Sequence, residues 1–139
     1  MSSVLEPLGR LIKQAQYRHH RAMDANLAVL GITLVQWNAL REIDRHPGST
    51  MHALAELTFN SDQAFGTLAT RMLRDGLIER RPGLGRATLH SLTPKGKTLL
   101  DQGRVIALEV LANSFAPLDE DERAMLSALL RKLVGEDQG

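Results

Sequence analysis

With 139 residues, 43% of them hydrophobic, and a formal net charge of +1, the chain is long enough to bury one core without disulfide or metal staples. It has no cysteine, which excludes disulfides, thiolate metal sites, cysteine nucleophiles and thiol redox switches. Aromatic residues make up only 4%, with one Trp and one Tyr, a composition suited to aliphatic packing between helices.

In chain order, Leu5, Leu8, Leu11, Ile12, Ala15, Met23, Leu27 and Leu30 recur near a period of 3.6 and predict a long helix over residues 4–29 that ends at Gly31. Thr33 is placed to cap a second helix carrying Leu34, Trp37, Leu40 and Ile43, which His46-Pro47-Gly48 stops. Ser49 or Thr50 caps a short third helix through Leu57. Asn60 or Ser61 opens a fourth that runs to Asp75 and is closed by Gly76. The period then changes. Residues 77–82 and 87–92 are short runs flanking Pro82-Gly83-Leu84-Gly85, the pattern of a β-hairpin. Thr93-Pro94 sets an N-cap before a proline at the first helical position, so a fifth helix runs to about residue 116. Asp119 and Glu122 have capping-box spacing for a sixth that carries Met125, Leu126, Leu129, Leu130 and Leu133.

The expected fold class is therefore mainly α, an α+β winged helix: six helices with a two-stranded β-hairpin wing in one domain spanning 1–139. No apolar run approaches the roughly 20 residues needed to cross a bilayer, and the start of the chain lacks a basic-then-apolar leader pattern, which predicts a cytoplasmic protein with no membrane partner.

Charge is distributed unevenly. Residues 71–97 hold seven basic side chains against two acidic ones, a net +5, while residues 117–139 carry a net −3. A basic middle is what a local polyanion site requires, because phosphate neutralisation needs cations on one surface only. In the fourth helix Phe65, Leu68, Ala69 and Met72 share one side; Gln63, Gly66, Thr67, Thr70 and Arg74 share the other. That second face is small, polar or cationic, as a helix approaching a major groove needs. Ser61, Asp62 and Gln63 fill its first turn, and Arg71 adds a cation. The hairpin brings Arg80, Arg81 and Arg86, with Arg86 at the tip as the minor-groove candidate. The competing readings are an ordinary amphipathic surface helix and a solvated turn cation.

At this point the residues resemble the MarR (multiple antibiotic resistance regulator) family. The likeness is carried by Leu34-Val35-Gln36-Trp37, Leu40, His46-Pro47-Gly48, Leu54-Ala55-Glu56, Ser61, the run Arg71-Met72-Leu73-Arg74-Asp75-Gly76-Leu77-Ile78-Glu79-Arg80-Arg81-Pro82, and Ser91-Leu92-Thr93-Pro94-Lys95-Gly96. It covers nearly the whole chain and is most specific in Gly76 to Arg80 and Leu92 to Gly96 at their mutual spacing. The resemblance implies a sequence-specific regulator of transcription, by family default a repressor. It implies a homodimer whose first, fifth and sixth helices interlock, so that 1–31 and 93–139 form the dimerisation region. Residues 33–92 then form the winged helix-turn-helix that binds double-stranded DNA at a palindrome, with half-sites about one turn apart. The apolar surplus on the terminal helices supports a dimer independently. One departure stands out: where the family's wing carries an aspartate near its tip arginine, this chain has Leu84 and Gly85 in a loop about two residues shorter. A shorter wing reads DNA less deeply.

The family resemblance further implies a small aromatic acid or phenol as a ligand that releases DNA, and the matching positions are Tyr17, His20, Trp37 and Arg41. Aromatic faces with one guanidinium suit an aromatic carboxylate; the alternative for Trp37 is plain core packing. No cofactor is expected. His19, His20, His46, His52 and His90 have no metal-ligand spacing, so no metal site is expected. Gly83-Leu84-Gly85 is too short for a phosphate loop and no nucleophile-base order stands out, which argues against an enzyme. The remaining alternative is a winged-helix module that binds protein rather than DNA.

Overall fold

The computed structural model describes residues 2–136. Helix α1 (Ser2–Leu27) passes into a single 3₁₀ turn (Ala28–Leu30) that Gly31 ends at φ +74°. There follow α2 (Leu34–Arg45), β1 (Ser49–Thr50), α3 (Met51–Leu57), α4 (Asp62–Arg74), β2 (Ile78–Pro82), β3 (Thr88–Leu92), α5 (Pro94–Ser114) and α6 (Glu120–Val134).

The expected starts act as caps. Thr33 accepts from the Gln36 N–H while the Gln36 side chain accepts from the Thr33 N–H, a full capping box. Thr50, Ser61 and Thr93 accept from Ala53, Ala64 and Gly96, and Asp119 and Glu122 form the box that begins α6.

The sheet has three strands, not the two of the hairpin alone. Its order is β1-β3-β2, all antiparallel, with Ser49 opposite His90, and Ile78, Arg80 and Pro82 opposite Leu92, His90 and Thr88. β1 is only two residues long, so it shows no alternation in sequence. It exists because Gly48, at φ +80°, turns the chain after α2 and donates its N–H to the His90 carbonyl.

The core joins Met23 and Leu27 of α1, Trp37, Leu40 and Ile43 of α2, Leu54 of α3, Phe65, Ala69 and Met72 of α4, and Leu100 of α5, all buried. It packs α4 and the base of the wing into one body with α5. The Thr93-Pro94-Lys95-Gly96 run is the fastening. Thr93 Oγ1 donates to the Gly76 carbonyl at 2.6 Å, and Lys95 Nζ donates to the Asp75 carbonyl at 2.9 Å. A cation on the last carbonyls of α4 also suits that helix's dipole. Gly96 lies so close to the backbone of Leu77 that a Cβ there would sit 2.1 Å from its carbonyl oxygen. Gly103 is flat against Trp37, whose indole N–H donates to the Leu100 carbonyl at 3.2 Å. α6 contributes no buried residue to this core.

Candidate nucleic-acid interface

α4 presents the face its periodicity predicted. Phe65, Ala69 and Met72 are buried, while Asp62, Gln63, Thr67, Thr70, Arg71 and Arg74 are exposed. Thr67 and Thr70 donate their hydroxyls back to the carbonyls of Gln63 and Gly66, at 3.2 and 2.9 Å. With the proton committed, each hydroxyl offers outward only an acceptor lone pair and a methyl group, which suits an exocyclic amine or a thymine methyl. Ser61 Oγ accepts from the Ala64 N–H at 3.1 Å and keeps its own proton to donate. Gly66 is half-buried and faces Met51 of α3, so its lack of a side chain serves helix packing as much as groove approach.

Asp62 is tied down. His52 on α3 meets its carboxylate at 2.9 Å through Nδ1 and reaches Glu56 at 3.1 Å through Nε2. The hydrogen bond and charge of Asp62, then the charge of Glu56, raise the His52 pKa. The pair thereby places an imidazole, whose protonated form these carboxylates favour, beside the one acidic side chain in the first turn of α4. The i,i+4 spacing of His52 and Glu56 was the one signal that could have found this residue, while Asp62 lies on a different helix.

In the wing, Arg80 and Arg81 point to opposite sides of β2. Arg80 donates Nε–H to Nε2 of the buried His90 at 3.2 Å. Arg81 lies beside the turn before β1, its Nη2 3.8 Å from where a Cβ on Gly48 would stand. The tip is a tight loop in which Gly83 N–H donates to the Ala87 carbonyl and Ala87 N–H to the Leu84 carbonyl, with Gly85 at φ +63°. These backbone bonds close the tip. Arg86 is exposed there beside Leu84, which is 95% exposed.

The four ligand candidates are not gathered into one cleft. Trp37 is 5% exposed, and Arg41 lies over its ring at 5.2 Å while also meeting Glu42 at 3.3 Å. Tyr17 is exposed on α1 with Arg21 over its ring at 5.8 Å. His20 meets Asp24 at 3.3 Å, and Asp24 in turn accepts from the Leu34 N–H at the start of α2. A separate cleft of about 340 Å³ between α2, β3 and α5 is lined by Ile43, Asp44, Pro47, Leu92 and Lys97, with Lys97 and Asp44 paired at 3.3 Å. Glu42 is a further charged residue that periodicity did not single out: it is buried among Arg41, Arg45 and His46 at 3.3 to 3.6 Å. Among the described residues no group of His, Asp and Glu could hold a metal ion, and no helix is long and apolar enough to cross a membrane.

Comparison with known proteins gives a consistent set of relatives. Residues 30–87 match the MarR family. The chain is 31% identical over 135 residues to the multiple antibiotic resistance protein MarR of Salmonella typhimurium, covering 92% of this chain and 91% of that one. It is 26% identical over 137 residues to the HTH-type transcriptional repressor NicR of Pseudomonas putida, covering 97% and 87%. Among solved structures it is similar to a mutant MarR from E. coli complexed with operator DNA, with a TM-score of 0.87, 26% identity and coverage of 96% and 97%. It is also similar to the Mycobacterium tuberculosis MarR family protein Rv2887 in complex with p-aminosalicylic acid, with a TM-score of 0.76, 25% identity and coverage of 91% and 98%.

Proposed function

Because this chain belongs to the MarR family of transcription regulators, we propose that it is a homodimeric repressor that binds a palindromic operator through residues 33–92 and lets go of it when a small aromatic acid binds. The observation that carries the DNA reading is the exposed, small and polar face of α4, continuous in sequence with a cationic wing, on a backbone similar to one solved with operator DNA. Gln63, Thr67 and Thr70 are the base-reading candidates. Ser61, Arg71, Arg74, Arg80 and Arg81 are phosphate contacts, and Arg86 reaches for the minor groove. Asp62 stands in the first turn as the acid that His52 engages.

Selecting bound sequences from a random duplex library, followed by a salt titration of the enriched pool, tests this. Enrichment of a palindrome with half-sites about one turn apart, bound with a steep salt dependence, is the expected result. No enrichment, with binding to protein partners indifferent to salt, would instead favour the protein-interaction reading.

The ligand reading rests on Arg41. Its side chain is partly exposed, stacked on Trp37 and held by Glu42, a guanidinium that an aromatic carboxylate can claim bidentately from its neighbour. Tyr17 and His20 of α1 are the further candidates that the family resemblance supplies. Arg41→Ala is expected to bind operator as the parent does but to ignore salicylate, a probe chosen for its chemistry; retained salicylate-induced release would end the assignment.

A further inference from the structure

His90 uses both ring nitrogens. Nδ1 lies 3.1 Å from the Ser49 carbonyl, which can only accept, so Nδ1 carries the proton. Nε2 lies 3.2 Å from Arg80 Nε, which can only donate, so Nε2 is a lone pair. One neutral tautomer satisfies both bonds, and the side chain is 1% exposed. The ring thus crosses all three strands: its own β3, β1 through Ser49, and β2 through Arg80. Burial and the adjacent guanidinium keep its pKa low, and both favour the neutral form. Among the described residues Arg80 has no carboxylate partner.

We propose that His90 is the positioning residue for Arg80, holding the guanidinium by its inner edge so that its four Nη–H donors face outward for a DNA phosphate. The inference rests on the DNA-binding reading above. A free arginine on a strand surface spreads over many rotamers and loses that freedom on binding; one already anchored through Nε loses less. The anchor uses the one N–H that a two-pronged phosphate contact through Nη1 and Nη2 does not need. His90 never meets DNA. It acts through Arg80.

The two bonds can be separated by substitution. Asn at position 90 is long enough to keep the bond to Ser49 and too short to reach Arg80; Gln reaches the Nε2 position and can accept from Arg80. Affinity for a mixed-sequence duplex is measured across a salt series, above the ordinary histidine range of pH, for the parent, R80A, H90N, H90Q and the H90N/R80A double variant. In parallel, ¹⁵N spectra follow the Arg80 Nε–H signal. The parent and H90Q should show a protected Nε–H and bind within about twofold of each other, while H90N loses that signal and about two- to ten-fold in affinity. R80A should cost measurably less in the H90N background than alone, since part of its contribution is already gone. H90N that binds as the parent does, or an R80A cost equal in both backgrounds, would overturn the proposal. A parent with no salt-dependent DNA binding would remove the reading beneath it, and the ¹⁵N signal would show whether the Arg80–His90 bond exists regardless.

Discussion

Three histidines shift, two downward and one upward, for reasons visible in their surroundings. His90 is pushed below its ordinary value of 6.5, chiefly by burial, and His19 likewise by burial and then by His20. His52 is raised by Asp62 and Glu56. A buried neutral histidine gives its full stability above the unfolded value, and that stability is lost as pH falls toward its folded pKa, because the unfolded chain takes up the proton first. The His52 pairs do the reverse, contributing below 6.5 and fading as pH rises through the raised folded pKa. His52 is fully exposed, so its pairs are screened by solvent and the buried ring should dominate. Melting temperature is therefore expected to fall as pH drops through the ordinary histidine value of 6.5, and H90Q should flatten that fall. A profile unchanged by H90Q would mean that His90 takes up its proton without cost. Phe59 offers a second test. It is 96% exposed and sits at φ +60°, a conformation that a residue with a Cβ adopts at a cost of roughly 1–2 kcal/mol. Glycine removes that strain, gives up almost no buried area and adds chain entropy to the unfolded state. Phe59→Gly is thus expected to stabilise by up to about 1 kcal/mol in urea unfolding. Destabilisation would show that the ring has a partner in the assembled protein.

At the scale of elements, the joint between α5 and the winged region sets what substitutions it tolerates. Alanine normally improves a helix over glycine by about 1 kcal/mol. At Gly96 the added methyl would meet a backbone carbonyl at 2.1 Å, and at Gly103 the Trp37 ring at 2.5 Å. Neither is the free end of a flexible side chain, so strain outweighs propensity. Each change is expected to cost about 1–3 kcal/mol, the Gly96 change more because it also pulls Thr93 and Lys95 from the end of α4. Urea midpoints above the parent's would refute the close packing. These glycines also show what could be read in advance. As letters they only weaken a helix; their reason is the facing surface, Leu77 in one case and Trp37 in the other, which no local pattern records. The caps at Thr33, Ser61, Thr93 and Asp119 were legible because capping is a matter of spacing within a few residues. So were both faces of α4 and the wing's two runs. β1 was not, since two residues cannot show alternation and its partner is 41 positions away. The pairings of His90 with Arg80 and of His52 with Asp62, each ten positions apart and across a turn, were hidden because they depend on how two elements pack. Trp37 had two readings in sequence, and it is packed in the core against Gly103 with Arg41 over its outer face.

For the whole molecule, the question is what covers the terminal helices. α6 has no buried residue, yet it carries Met125, Leu129, Leu130, Leu133 and Val134 at 42 to 70% exposure, and α1 does the same with Val4, Leu5, Leu8, Leu11 and Ile12. A helix of 15 residues is marginal on its own in water, so α6 needs packing that this chain does not supply. In the proposed homodimer a second copy would supply it, because each copy brings the same apolar faces and a two-fold arrangement would bury them against one another. On that proposal dimerisation and DNA affinity would be linked, since two winged regions held in fixed relation would bind two half-sites as one event. The double substitution Leu129→Glu with Leu133→Glu is expected to give a monomer by sedimentation, to lower the helical signal by part of α6, and to weaken operator binding by about 10²-fold or more. The winged core should survive, because Phe65, Met72 and Leu100 are packed within one chain. If the double variant remained dimeric with unchanged affinity, the interlocking of α6 would be wrong; a monomer that still bound the full operator with parental affinity would break the link between assembly and recognition.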